Sequence, residues 1–298
     1  MIKLIRSTLM IILLAIGVGV LLYPDFMNWR ESRQQIGFIQ NYNENVALMA
    51  QAEIDYELER ARIFNERITD ISINDPWGEG ANDIVGTAEY YTLLNFANTR
   101  MMGRIEIPVI NVDLPIFHGS TDDVLSRGVG HMPHTSLPIG GYGNHSILTA
   151  HTGLVTARLF TDLVDLPVGE IFIITIATER MAYQVVDRNI VWPHEIEILQ
   201  TYADRDLITL VTCHPYSVNS HRLLVLGERV PYYDGMLDDV ESIINPIEWR
   251  HWVVAGMLTF VILVSAFRWF KAKKRKGKTV SDYLDEKHER EYDEIFGD

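Results

Sequence analysis

Two uninterrupted apolar segments, one near each end, constrain this chain more than any other feature. Leu9 to Tyr23 (LMIILLAIGVGVLLY) follows Lys3 and Arg6. Trp252 to Phe267 (WVVAGMLTFVILVSAF) is bracketed by Trp249, Trp252 and Trp269, with Lys271, Lys273, Lys274, Arg275, Lys276 and Lys278 directly after it. Each is slightly shorter than the ~20 residues that cross a bilayer, and Lys3, Arg6 and Arg268 can extend them by snorkelling. Pro24, Asp25 and Phe26 follow the first segment where a signal peptide would carry a small-x-small cleavage site, so it reads as an anchor. The basic run after the second segment, by the positive-inside rule, puts both termini in the cytoplasm and residues 24–249 outside. The expected protein is therefore a two-pass resident of the cell membrane, and what folds must fold between the two spans.

That interval has two textures. Residues 28–72 are polar and helix-forming, with Ile36, Ile39, Tyr42, Val46 and Met49 at helical spacing, which predicts one or two helices packed on the main domain. Asn74-Asp75-Pro76-Trp77-Gly78 then marks a loop, and a Trp in such a loop is expected to cover something. From Gly103 the pattern changes to short apolar runs: Arg104–Val109, Val112–Phe117, Ser146–Thr149, Ile171–Ala177, Ala182–Val191, Leu207–Thr212 and Leu223–Leu226. Turn clusters such as His118-Gly119-Ser120 and Gly140-Gly141-Tyr142-Gly143 separate them. Many short strands of this kind predict a mainly β sandwich or barrel. Residues 233–250 are acidic and read as a linker helix; the tail from Lys271 mixes both charges and reads as solvated.

A net charge of −14 argues against a nucleic-acid partner, whose grip comes from Lys and Arg on phosphates. The single cysteine excludes an internal disulfide framework and a Cys-rich zinc site. His131 and His134 in HMPH, and the pair His145 and His151, lack an acidic ligand at a recognised spacing, so no metal is expected. A lone thiol is then either buried packing or a reactive group.

On composition alone buried packing is the commoner case, and the surroundings of the thiol weaken it. Cys213 ends the run Leu207–Thr212, and Arg222 precedes Leu223–Leu226 across a loop holding Pro215, Ser217, Asn219 and Ser220. Antiparallel pairing of those runs sets thiol and guanidinium at the same end of a sheet. Strand alternation puts Cys213 on one face with Val211 and Thr209, and His214 on the other, so a base must come from elsewhere. His151, at the end of the Ser146–Thr149 run and the start of a loop, is the best of ten histidines for that role. Arg222 cannot be a base, since guanidinium stays charged; it suits an oxyanion or carbonyl donor.

Thr209-Leu210-Val211-Thr212-Cys213 resembles the TLxTC signature of sortases, the membrane-bound cysteine transpeptidases of Gram-positive surfaces. TLVTCHPYSVNSHRLLVLGER, LTAHTGLVTARLFTDL from Leu148 and MGRIEIPVINVDLPIFHGS from Met102 are similar to class C, the pilus-assembling sortases. Asp75-Pro76-Trp77 resembles the lid motif of that class, in which paired membrane segments are usual. The resemblance runs from Asn28 to Phe270 and leaves out the tail. It implies an eight-stranded sortase-type β-barrel with N-terminal helices and two flanking transmembrane helices. It also implies Cys213 as nucleophile, His151 as acid/base, Arg222 as third member, and a lid of Asp75 and Trp77 over them. Departures are Ala150 for a usual Gly, Thr152 for an Arg, His214 for a Thr and Ser217 for a Gly; none removes a catalytic group.

The implied organisation is an N-terminal anchor (1–23), an extracellular helical segment ending in the lid loop (24–80), a catalytic barrel (81–232), a linker helix (233–250), a second membrane helix (251–270) and a cytoplasmic charged tail (271–298). The implied reaction cleaves an LPxTG-like sorting signal between Thr and Gly through a Cys213 thioester. Transfer to a lysine amine of a pilin subunit follows, with LPxTG-bearing pilins or surface proteins as partners and no metal or organic cofactor. Two other readings remain: a sortase that anchors surface proteins to peptidoglycan, and a non-catalytic membrane-anchored β-barrel adhesin or sensor with Cys213 inert.

Overall fold

The computed structural model describes residues 2–68, 75, 77, 86–96, 98, 100–237, 240, 242–243, 249–276 and 280–296. Asn74, Pro76 and Gly78 of the loop motif and Lys278 of the basic run lie outside the described residues. The chain divides into two compact units, Tyr23–Asn245 and a second made of Met1–Leu22 with Pro246–Asp298.

The larger unit opens with the later turns of helix α1 (Ile2–Leu48), followed by α2 (Gln51–Glu66). In α1 the stripe turned to the core is Gln35, Ile39, Tyr42 and Val46, at steps of three and four. Ile36, expected on that stripe, is 46% exposed, and Gln35 takes the place by donating from Nε2 to the Arg127 carbonyl at 3.3 Å. Tyr42 donates its hydroxyl to the Met102 carbonyl at 2.7 Å and accepts from the Ala177 amide at 2.8 Å, so one side chain joins the helix to two parts of the sheet. In α2 the stripe is Ile54, Leu58, Ala61 and Asn65. Asn65 exchanges two hydrogen bonds with the backbone of Leu137, at 3.1 and 2.7 Å.

Eight strands close into a barrel in the order β1-β2-β3-β4-β7-β8-β6-β5. They are β1 (Met101–Ile107), β2 (Val112–His118), β3 (Val129–His131), β4 (His145–Thr149), β5 (Ile171–Ile176), β6 (Glu179–Val191), β7 (Leu207–His214) and β8 (His221–Val230). A four-residue helix α3 (Asp122–Leu125) bridges β2 and β3. The strand absent from the seven-run reading is β3. Its three residues, one of them Gly130, are too few to show a period of two. Gly130 has a packing reason: a Cβ there would sit 2.4 Å from the Gly119 carbonyl oxygen.

Two pairings are parallel, β2 with β3 and β4 with β7, and the rest are antiparallel. Alternation sorts the side chains into two clusters. Ile105, Leu148, Ile208, Leu210, Leu223 and Val225 belong to the large core, to which α1 and α2 also contribute. Met132, Ile147, Val211 and Leu224 form a second cluster on the other face of β4, β7 and β8, joined by Trp77, Val191 and Leu199. Both faces of these strands are thus apolar, which explains why every residue of β7 from Leu207 to Cys213 is buried.

Within residues 233–250, the described residues before Trp249 do not form the linker helix expected there. Residues 234–237 form turns, with Gly235 at φ 85°, and among the described residues helix resumes only at Trp249. A left-handed glycine in an Asp-rich stretch is incompatible with a continuing helix.

In the smaller unit, α1 carries exposed Leu9, Ile12, Leu13, Ile16 and Val20 and is long and apolar enough to cross a membrane. Helix α4 (Trp249–Lys276) has a shorter apolar part, His251–Phe267, with Phe260, Ile262, Leu263 and Phe267 exposed. The tail, expected as a solvated segment, forms helix α5 (Val280–Phe296), in keeping with its Glu, Lys, Arg and Leu content.

Candidate active site

At this end of the sheet, strands β7 and β8 each run two residues further than the apolar runs, ending on the pair His214–His221. The adjacent pair is Cys213 opposite Arg222, on the face that carries Val211 and Leu224. Val191 of β6 is the partner of Arg222 on the other side. Antiparallel partners project the same way, so the thiol and the guanidinium stand side by side. Cys213 is 7% and Arg222 4% exposed.

A buried guanidinium needs acceptors, and Arg222 has four of them. Nη1 donates to the carbonyls of Asn219 and His221, both at 2.9 Å, which anchors the group to the β7–β8 loop. Nε donates to Asp75 Oδ1 at 2.7 Å and Nη2 to Oδ2 at 2.6 Å, a two-pronged contact with side chains only 5% and 11% exposed. Burial works against the charge of Arg222, but Asp75 and Cys213 outweigh it and its pKa is raised.

Trp77, two residues beyond Asp75, spans the rest of the site. Its ring lies 5.1 Å from the Arg222 guanidinium carbon, and its indole N–H donates to His151 Nδ1 at 3.1 Å. Nδ1 therefore accepts, which assigns the proton of a neutral His151 to Nε2. Burial lowers the His151 pKa, with the nearby Asp122 carboxylate acting in the opposite direction. One indole thus meets both His151 and Arg222, the strand partner of Cys213, and packs on the Val211 and Leu224 cluster.

The thiol is held protonated in this arrangement. Burial pushes the Cys213 pKa up to about 11; Arg222 pulls it down, and Asp75 pushes it up again. The carboxylate engages the Nε and Nη2 donors, which are not tied to backbone carbonyls, and partly offsets the charge that would favour a thiolate.

Two contacts were not foreseen from the motif. The Thr212 hydroxyl, buried on the core side, donates to the Ala150 carbonyl at 2.7 Å, linking the residue before Cys213 to the residue before His151. Thr209 Oγ1 meets His145 Nε2 at 2.8 Å, and His145 Nδ1 meets the Gln200 carbonyl at 2.7 Å. The signal was available: both threonines of TLVTC are polar residues in an otherwise apolar strand. Among the other histidines, His131 is wholly buried, bound to the Tyr90 hydroxyl at 2.9 Å and the Ser136 carbonyl at 2.8 Å, while His134 is exposed. His214 is half-buried on the face away from Cys213.

The sortase domain profile matches residues 105–230. Among curated proteins, the chain is 28% identical to sortase D of Bacillus subtilis over 131 residues, which is 43% of this chain and 63% of that one. It is 29% identical to sortase A of Bacillus anthracis over 131 residues, 44% of this chain and 60% of that one. It therefore spans about three fifths of the length of these curated relatives. Solved structures match more fully. Sortase C-1 from Streptococcus pneumoniae is 40% identical with a TM-score of 0.60, covering 66% of this chain and 100% of that one. Sortase C1 of Streptococcus agalactiae is 40% identical at 0.61, covering 67% and 98%. Sortase C-1 from Actinomyces oris is 42% identical at 0.56, covering 61% and 99%. With the barrel and the TLVTC strand, these matches establish that the chain belongs to the sortase family, and its relatives of known structure are class C sortases.

Proposed function

We propose that the protein is a cysteine transpeptidase that joins LPxTG-bearing pilin subunits at the cell membrane. The observation that carries this reading is the pairing of Cys213 with Arg222 across β7 and β8, with the Trp77 indole bridging Arg222 to His151. A lone thiol, a buried guanidinium and an imidazole are what amide exchange through a thioester requires.

His151 takes the proton of Cys213, and the thiolate attacks the Thr–Gly carbonyl of the sorting signal. The oxyanion is held by the Nε and Nη2 donors of Arg222, the two that Asp75 occupies at rest. The C–N bond breaks, His151 gives its proton to the leaving amine, and a thioester remains on Cys213. A lysine amine of the next subunit attacks that thioester. Its proton returns through His151 to the Cys213 sulfur, leaving an isopeptide bond and a free thiol. No oxidant, metal or organic cofactor enters this balance.

Asp75 and Trp77 act as a lid that must leave before any step. While closed it engages Arg222, caps His151 Nδ1 and keeps the thiol neutral, so the resting site is both covered and in the wrong protonation state. The two apolar helical segments hold the barrel at the outer face of the membrane with both termini inside. A cysteine introduced in the 280–296 helix of a Cys213→Ala chain should resist an impermeant thiol reagent in intact cells; its labelling would reverse that orientation.

The activity is tested with the purified full-length protein and a fluorescent LPxTG peptide. Mass spectrometry should find the acyl fragment on Cys213 and release of the Gly-containing fragment, with Cys213→Ala inactive and folded. Release by the Cys213→Ala variant would refute the thioester route.

A further inference from the structure

The sheet face beneath the lid carries an apolar cluster, and its polar side chains Thr209 and Arg222 have hydrogen-bond partners. On β4, Ile147 joins the cluster of Met132, Val211 and Leu224 under Trp77. Thr149, two residues on, projects from the same face. It pairs with Val211 on β7 and with Gly130 on β3. Cys213 follows Val211 by two residues, so Thr149 stands about 8 Å from it, one strand over and one pleat back. His151 is the next residue but one along the chain.

Thr149 is 0% exposed, and its Oγ1 has no hydrogen-bond partner. Burying a hydroxyl without a partner is unfavourable, and Ile147 and Val211 beside it on this face are aliphatic. Valine would fill the same shape without that cost, so the hydroxyl has no role in holding the resting fold. Among the described residues three other hydroxyls are buried without partners: Ser120, Ser146 and Thr175. Ser146 lies on the core face of β4, and Thr175 lies on β5, across the barrel. Ser120 follows β2, and its Cα would lie 3.3 Å from a Cβ on Gly130, the β3 partner of Thr149.

We propose that Thr149 is a specificity-determining residue whose hydroxyl hydrogen-bonds the substrate peptide, at the residue seated beside Cys213, once Trp77 has left the groove. This rests on the transpeptidase reading and adds to it a recognition contact. A hydroxyl both donates and accepts, so it suits either a backbone amide or the side-chain hydroxyl of a threonine in the sorting signal. An apolar groove cannot strongly distinguish threonine from valine, whereas a groove with an unpaired hydroxyl can. The unsatisfied group is tolerated in the closed state and gains its partner in the complex, which favours binding over resting stability.

The test uses full-length protein, the variants Thr149→Val and Thr149→Ser, and two peptides differing only in Thr or Val at the scissile residue. Thr149→Val should melt at the same temperature as the wild type or higher, since it deletes an unsatisfied group. Its kcat/KM on the Thr peptide should fall about 5- to 100-fold, while Thr149→Ser stays near the wild type. A loss confined to the Thr peptide assigns the contact to the side-chain hydroxyl; an equal loss on both assigns it to the backbone. A lower melting temperature for Thr149→Val, or unchanged kcat/KM beside an active wild type, overturns the role of Thr149 and leaves the transpeptidase reading intact. A wild type that cleaves neither peptide overturns both.

Discussion

Removing the Asp75 carboxylate should awaken the resting thiol, by two separable routes. A Cys213 pKa of about 11 leaves roughly 0.03% thiolate at pH 7.5, against roughly 10% for an unperturbed thiol. The first route is conformational. Asp75 makes two charge-assisted hydrogen bonds to a guanidinium in a place nearly shut off from water, which places the pair outside the class of weak surface ion pairs. After allowance for the hydration that each partner regains, their loss should favour the open lid by roughly 2–3 kcal/mol, or roughly 30- to 150-fold. The second route is electrostatic, since Asp75 raises the Cys213 pKa and screens Arg222 from it. The assay is the rate of labelling by a small neutral alkylating reagent across pH 7–11. In Asp75→Ala the rate at pH 7.5 should rise by at least the conformational factor, and the labelling midpoint should move below that of the wild type. Trp77→Phe keeps the ring but deletes the N–H on His151, so it should open the lid by only about 2- to 10-fold. Equal labelling of Asp75→Ala and wild type, or a midpoint that moves upward, would refute the lid argument.

Arg222→Lys retains the charge but not the planar fork that meets Asp75 and two carbonyls, so peptide cleavage should fall by ~10² or more; near-normal turnover would reduce Arg222 to a general electrostatic role. His151→Ala should lose ~10²–10⁴ in rate at unchanged melting temperature. Tyr42→Phe deletes a buried hydroxyl with two partners and should cost roughly 1–3 kcal/mol by denaturant titration, without altering thiol labelling. Burial lowers the pKa of His145 to about 4 and of His131 to about 3, so both fold neutral. Their stabilisation is complete above the unfolded value near ~6.5 and is lost as pH falls through the folded values. Thermal melts should therefore decline from pH 6.5 towards 4, and a His145→Gln variant should decline less steeply.

The parts of the fold legible in the sequence were those with a local signal. Seven apolar runs bounded by turn residues correspond to seven strands, and the β7–β8 pairing follows from two runs separated by a polar loop. The eighth strand was illegible because β3 is held by its neighbours, between a parallel and an antiparallel partner, and not by its own three residues. Ile36 misled for a related reason: a hydrophobic stripe indicates a face, but Gln35 gained the buried place because the Arg127 carbonyl waits there. The linker failed as a helix at Gly235, whose left-handed backbone no periodicity argument anticipates.

The candidate site was legible residue by residue but not as a charge arrangement. Each member has its own mark: the single cysteine, the arginine across a turn, the histidine at a strand end, the tryptophan in a loop. What joins them is distance in sequence. Asp75, from a segment before β1, reaches Arg222 on β8 over 147 positions, while the strand order sets β4 and β8 on either side of β7. The same arrangement explains why the threonines of TLVTC differ in use. Thr212 lies on the core side, where it can bond to Ala150 and couple the two strand ends that carry Cys213 and His151. Thr209 lies on the outer side with Val211 and Cys213, where His145 occupies its hydroxyl. Thr149, on the same outer face and one strand away, has no such neighbour. Three threonines within two adjacent strands thus have different hydrogen-bonding states, set by face and register. The one left without a partner shares its face with Ile147 and Val211, which belong to the cluster that Trp77 packs on.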